Sequence, residues 1–325
     1  MISSLHCLRT MPEVRFLPLR PLALASLVAN VALVVTGAAV RLTGSGLGCP
    51  TWPRCTDESY TTTSEMGVHG VIEFGNRLLT FALGFIAVAC VIAALLERPR
   101  RRARVLLAIA VLLYIPLQAV IGGITVLTNL NPWVVGLHFL VSIVIIAFAY
   151  ALWRRSAEGD GRPVALVPRP INHLVWILSV VSAAVIALGV VVTGSGPHAG
   201  DVDAKRNGLD PATVSQAHAD VVFLLLGLTL ALIFALRAVK APRATVRAAV
   251  VLLVIELAQG LIGFVQYFTH LPVLLVGAHM LGAALVWTGT LSVVWSLRDR
   301  PDTVPVAAPV EPLPAPAEEP VPAPR

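Results

Sequence analysis

Charge is what this 325-residue chain has least of: Asp, Glu, Lys and Arg make up 13% of it, where a soluble domain carries roughly 25%. A surface facing water on every side cannot be built from so few charges, which excludes a soluble globular protein. Long polar stretches are also missing, so no sizeable extramembrane domain fits. What the chain has in their place is apolar length. Hydrophobic residues reach 57% and the mean hydropathy is +0.82. At roughly 20 apolar residues per bilayer crossing, the runs allow about eight crossings. The net charge of +6 would suggest nucleic acid only if it formed a basic face on a soluble fold.

Apolar runs fall near residues 21–41, 67–96, 105–127, 133–153, 171–193, 214–236, 247–268 and 272–296. Runs this long exclude alternating barrel strands, and helices are the other structure that satisfies its own backbone in lipid. The expected class is therefore an all-α integral membrane protein with eight transmembrane helices. Nineteen of the 24 basic residues lie before helix 1, between even and odd helices, or after helix 8. By the positive-inside rule both termini are cytoplasmic, in a multi-pass protein of the cell (plasma) membrane, and the loops after helices 1, 3, 5 and 7 face outward. Arginines before the first apolar run also suit a cleaved signal peptide. That run is too long for one, so a retained helix is expected, with Met11 as an alternative start. The Pro- and Ala-rich segment after helix 8 cannot bury a core and is expected to be a disordered cytoplasmic tail.

An internal repeat organises the chain. LLYIPLQAVIGGITVLTNLNPWVVGLH ending at His138 parallels LVIELAQGLIGFVQYFTHLPVLLVGAH ending at His279; Gln118 matches Gln259 and Gly122 matches Gly263, all at a shift of 141. The end of helix 1, Thr43 to Gly46, echoes Thr193 to Gly196 on helix 5. Two pseudosymmetric four-helix bundles follow, a parallel repeat whose axis runs along the membrane normal. The expected division is a cytoplasmic N-terminal segment 1–20, an N-terminal half 21–153, a linker 154–170, a C-terminal half 171–297 and a tail 298–325.

Four of the eight histidines lie near the outer ends of even-numbered helices: His69, His138, His218 and His279. His138 and His279 follow Pro132 and Pro272 by six and seven residues, roughly 9–10 Å into their helices. Ionisable groups in membrane helices are expensive and usually face the bundle interior. Histidines on two neighbouring helices can ligate a haem iron from both sides. A lone one more simply hydrogen-bonds across helices, but a pair repeated in the second half favours haem. Zinc would need three or four convergent ligands, more than each half offers. His6, His173, His198 and His270 have no matching partner and read as surface residues.

Glu73, in VIEFGNRLL, shares a helical face with His69 and Asn76. It can pair with Arg77 or take part in proton transfer. Glu256 is the other intramembrane acid. Cys49 and Cys55 flank PTWPR in the first outer loop, where an oxidising exterior permits a disulfide, either a staple or a redox element of the first half. Cys7 and Cys90 read as structural.

LTGSGLGC followed by WPRC, IEFGNR on helix 2, GLHF around His138, QAH at His218 and GAH at His279 together resemble the haem A synthase family, over about residues 20–297. The resemblance implies a membrane oxidoreductase that converts the C8 methyl group of haem O to a formyl group for cytochrome oxidase. It implies a cofactor haem b on His218 and His279, a substrate haem O in the N-terminal half with His138 as a ligand, a functional glutamate at Glu73 and the cysteine pair Cys49 and Cys55. Implied partners are haem O, a haem O synthase and cytochrome oxidase assembly factors. The lipid bilayer surrounds the chain, with no nucleic acid, and a homo-oligomer is allowed. One position departs: the family pattern has His three residues after the glutamate, where this chain has Asn76, a poor iron ligand. His69, seven residues earlier on the same face, is the candidate replacement.

Two other classes compete with this reading. A dihaem cytochrome b type electron carrier would use four helical histidines but would not need Glu73, and Asn76 breaks the second His pair. A repeat-fold transporter would place its site at the midplane rather than near the outer helix ends.

Overall fold

The computed structural model describes residues 18–301. Met11, Arg9, Arg15, His6 and Cys7 at one end, and the tail from 302 with Arg325 at the other, lie outside the described residues. Among the described residues, eight helices are long and apolar enough to cross a membrane. They are α1 (Leu19–Leu42), α2 (Gly67–Leu96), α3 (Arg102–Leu127), α4 (Pro132–Arg155), α5 (Arg169–Ser195), α6 (Pro211–Ala238), α7 (Arg243–Phe268) and α8 (Val273–Ser296). At 24 to 30 residues each, they are about 36–45 Å long, more than a hydrocarbon core of about 30 Å requires. Phe81, Phe85, Leu113, Trp176, Val180, Phe234, Leu261 and Phe268 stand exposed around the bundle, an arrangement that water would penalise and lipid accepts. This is an all-α, multi-pass membrane protein.

Most helices extend past the apolar runs by a few residues. Pro132 and Pro211 open α4 and α6 at positions where a missing N–H costs nothing, with Asn131 and Asp210 as caps accepting from Trp133 N and Thr213 N. Thr213 gives Asp210 both its hydroxyl and its amide hydrogen, which holds the Asp210 carboxyl below the ordinary aspartate range.

Helices α1 to α4 pack in a ring, each on the next and α4 back on α1; α5 to α8 do the same, and α1 and α4 meet α8, with α4 also on α5. Val175, Leu178, Leu225, Leu232, Leu252 and Val293 centre the second ring. Around Ile143, Ile146 and Ala149 the first ring's core also takes in Ile186 of α5 and Ala284 of α8. Polar side chains buried among these helices bond to neighbours: Ser182 with Thr290 across α5 and α8 at 3.0 Å, and Trp287 Nε1 to the Ile143 carbonyl at 3.0 Å. The α3–α4 and α7–α8 turns share one geometry. Asn129 and Leu130, like His270 and Leu271, have φ between 51° and 62°, a conformation uncommon for Leu. Leu130 N and Leu271 N each reach back to a carbonyl five residues earlier at 2.8 Å.

At the basic end the structure departs from the expected linker and tail. β1 (Val164–Ala165) pairs antiparallel with β2 (Arg298–Asp299). Gly159 N and Gly161 N bond to the carbonyls of Arg300 and Pro301. Residues 298–301 are thus an ordered partner of the α4–α5 connection rather than the start of a disordered tail. Composition concealed this because the pairing is made by backbone, anchored by side-chain charge. Glu158 is the hub: it meets Arg155 Nη1 at 2.7 Å, Arg300 Nε at 3.7 Å and Trp295 Nε1 at 2.5 Å. Arg104 Nη2 bonds its carbonyl at 2.8 Å and Arg104 Nη1 pairs with Glu97 at 2.8 Å. Replacing a buried partner of charged groups costs roughly 1–3 kcal/mol. Glu158→Ala is accordingly expected to lower the thermal unfolding midpoint of the detergent-solubilised protein, whereas Asp160→Ala, at the more exposed Arg101–Asp160 pair, changes it little. Equal midpoints for the two variants would contradict the hub.

Candidate functional site

The cysteine-loop end gathers His69, His138, His218 and His279 of the apolar helices, and Glu73. His138 of α4 lies over Gly122 of α3, His218 of α6 over Gly189 of α5, and His279 of α8 over Gly263 of α7. A Cβ at these glycines would stand 3.3, 3.2 and 3.3 Å from the respective Cε1 atoms, closer than side chains normally settle. Each imidazole therefore depends on a residue without a side chain on the preceding helix. Gln118 and Gln259 add a second matched feature, donating Nε2 to the carbonyls of His138 at 3.3 Å and His279 at 2.6 Å. All three rings are half-buried, and their Nδ1 atoms are buried without a hydrogen-bond partner among the described residues. The imidazole of His218 also meets the backbone of Val185, one turn before Gly189 on α5. His218 and His279 lie within electrostatic reach of each other.

The fourth corner is built differently. Asn76 accepts a hydrogen bond from the Thr36 hydroxyl at 2.8 Å. His69 is exposed at the start of α2, with Nδ1 bonded to Ser45 Oγ at 2.9 Å. It lines an open cleft of about 530 Å³ together with Met66, Asp201 and Val202. The structure thus sets His69 at the mouth of the bundle and holds Asn76 deeper, against α1.

Glu73 is buried and acts as a clamp on the cysteine loop. Its Oε2 accepts from Cys49 N, and its Oε1 meets Arg77 Nη2 at 2.7 Å. Arg77 in turn bonds the carbonyls of Cys49, Thr51 and Arg54, each at 3.1 Å. Of the two roles open to Glu73 in the sequence, the pairing with Arg77 is present. Cys49 and Cys55 are disulfide-bonded and fully buried. Trp52, between them, packs on Gly123 of α3, so the loop lies down over the first ring. Glu256 sits away from this end, buried on α7, with Oε1 accepting from Thr229 at 3.0 Å.

The cytochrome oxidase assembly protein family matches residues 20–291. The chain belongs to that family. Among curated members of known name it is similar to the heme A synthase of Listeria welshimeri, 26% identical over 172 residues that cover 51% of this chain and 56% of the relative. The heme A synthase of Symbiobacterium thermophilum is 28% identical over 184 residues, 54% of this chain and 58% of that one. The heme A synthase of Bacillus licheniformis is 26% identical over 145 residues, 44% and 47% of the two chains. The chain thus spans about half the length of the curated relatives it matches.

Within this family frame, three features escaped the sequence reading. Gly189 faces His218 although it lies outside the aligned repeat segments; its signal was a glycine one turn before Thr193. Ser45 fixes His69, which only the folded loop reveals. His198, read as a surface residue, is half-buried and bonds the Leu271 carbonyl through Nε2 at 2.9 Å, because the α5–α6 loop folds over the α7–α8 turn. His173 and His270 are exposed as expected.

If Glu73 holds the cysteine loop through Arg77, Arg77→Gln removes charge-assisted bonds worth about 1.5–3 kcal/mol in sum after allowing for partial exposure. Tryptic cleavage at Arg54 in the folded protein is expected to quicken by roughly ten- to a hundredfold. An unchanged cleavage rate would show the loop to be held by its disulfide alone.

Proposed function

We propose that this chain is a haem A synthase, an enzyme that oxidises the C8 methyl group of haem O to a formyl group in haem A biosynthesis for cytochrome oxidase. The observation that carries the reading is the set of three intramembrane imidazoles, each seated over a glycine with a buried, unpartnered Nδ1, in a member of this family. Relatives 26–28% identical over about half of the chain bear the name heme A synthase, which supports the same reaction here.

An imidazole ligates iron through one nitrogen while the other is fixed by its surroundings. His218 of α6 and His279 of α8 face each other from opposite corners of the second ring, close enough to interact electrostatically, and would hold the iron of haem b between them. Their glycine neighbours leave room for flat rings to turn, and their unpartnered nitrogens fit such a group. In the first ring His138 is assigned to the substrate haem, with His69 as its second ligand in place of Asn76, whose carboxamide is already engaged with Thr36. Ser45 at Nδ1 of His69 leaves its Nε2 available. Bound haem supplies the redox chemistry, and the protein contributes ligation, orientation and charge. Glu73, bridging Arg77 and the Cys49 amide beside the first ring, is assigned to proton handling or to the stabilisation of developing positive charge.

We further assign each ring to one haem, with the two rings related by a pseudo-twofold axis along the membrane normal. The cysteine-loop end faces outward and both termini are cytoplasmic, in the plasma membrane, as the basic end argues. A haem O synthase is a fitting partner, since haem O is too hydrophobic to cross water freely between two enzymes.

Expression of the full chain in a host that makes haem O, followed by extraction of total haem, tests the activity. Haem A should appear; haem b alone with haem O undiminished would instead mark an electron carrier. His218→Ala and His279→Ala are each expected to abolish the low-spin bis-imidazole spectrum of the purified protein, and a normal spectrum in either would overturn that assignment. For the first ring, His69→Ala should eliminate turnover while Asn76→Ala retains it. The reverse order would remove His69 from the site.

A further inference from the structure

Arg41 is an arginine from the first ring that works in the second. It closes the last turn of α1, yet its Nε donates to the His198 carbonyl at 2.5 Å and its Nη2 to the Thr193 carbonyl at 2.7 Å. Arg206 approaches the same strip of backbone from the far side of the α5–α6 loop, with Nη2 on the Pro197 carbonyl and Nη1 on that of Ala204 at 3.0 Å. Two guanidinium groups thus converge on consecutive carbonyls, those of Pro197 and His198, near enough to repel each other. Carbonyl oxygens satisfy their hydrogen bonds but do not cancel their charge. Neither forms an ion pair with a carboxylate among the described residues. Asp201, in the same loop, turns its carboxylate to the backbone N–H of Asp203 instead.

The strip itself is fixed rather than loose. Gly46 N bonds the Gly200 carbonyl at 2.8 Å, and His198 Nε2 bonds that of Leu271 at 2.9 Å. Leu130 packs against both Gly46 and Gly200. A half-buried cation held this firmly, beside a second one, is a prepared place for an anion.

The pair's position indicates which anion. Thr193, which Arg41 grips, lies one turn along α5 from Gly189, the seat of His218, or roughly 6 Å. Leu42, next to Arg41, packs on Gly277, two residues before His279. The arginines therefore stand just beyond the His218–His279 pair, towards the cysteine-loop end. Haem carries two carboxylates, its propionates, on one edge. We propose that Arg41 and Arg206 form a carboxylate-binding site that takes the propionates of the haem held by His218 and His279. This rests on the assignment of those two histidines as a haem site. The site draws one of its two cations from the opposite ring, so the C-terminal half does not hold its haem alone.

The test uses the full chain, produced in a haem-deficient host and loaded in detergent with haem b or with haem b dimethyl ester, whose propionates carry no charge. Release is followed by transfer to excess apomyoglobin. The unaltered protein is expected to lose the ester about tenfold faster than the free acid, the equivalent of about one charge-assisted bond. Arg41→Gln and Arg206→Gln should each speed release of the free acid towards the ester rate and leave the ester rate unchanged. Equal release of acid and ester from the unaltered protein overturns the proposal, and that measurement needs no variant to fold.

Failure of the underlying reading has a different signature: His218→Ala would then leave the haem spectrum and release rate unaltered. The same shared chemistry, an anionic oxygen cluster, also belongs to a lipid phosphate. If Arg41→Gln lowers the phosphatidylglycerol retained through purification, relative to phosphatidylcholine, while acid and ester release stay equal, the pair holds a lipid headgroup and the propionate assignment falls.

Discussion

A flat imidazole laid over a glycine is the contact on which this bundle depends. It occurs between α3 and α4, between α5 and α6, and between α7 and α8. In each case a helix that must present a polar ring inside an apolar bundle needs a neighbour that gives way. Without a hydrophobic force between helices in lipid, association relies on such close fits and on a few hydrogen bonds. The glutamine bonds to the carbonyls of His138 and His279 are of the same kind. The pair α1 and α2 lacks the motif, and there a threonine and an asparagine meet instead. The difference between the two rings begins at that contact.

The second difference is the cysteine loop. Glu73 and Arg77 reach from α2 into a loop whose counterpart over the other ring is held by Arg41, Arg206 and His198. One ring is covered by a disulfide-closed loop that a buried ion pair ties down. The other is covered by a loop pinned from several directions by arginine and histidine. The two rings thus hold their covering loops by different means.

Much of the fold could be read in advance, for a simple reason. A helix in lipid must be apolar for its whole length, so the eight helices showed as runs. Their ends did not, because Arg155, Arg169 and Pro211 extend helices without being apolar. The short β1–β2 pairing was hidden, since backbone hydrogen bonds leave little trace in composition. At the site, histidines in apolar helices stood out because any ionisable group there is costly. Gly122 and Gly263 were visible through the repeat, whereas the partners of His69 and Arg41 come from loops tens of residues away and needed the folded chain. Glu73 was visible as an acid in a membrane helix, but its grip on the Cys49 amide depends on how the loop folds back.

The pairing of β1 with β2 bears on how the chain is joined. The connection that carries the polypeptide from one ring to the other lies hydrogen-bonded beside the residues that follow α8. Glu158, at the start of that connection, already reaches Trp295 of α8 and Arg300 beyond it. The covalent link between the rings therefore runs in parallel with a noncovalent one at the same place. A chain cut between Arg162 and Pro168 would still have its first fragment fastened to the end of its second, as two polypeptides that behave as one.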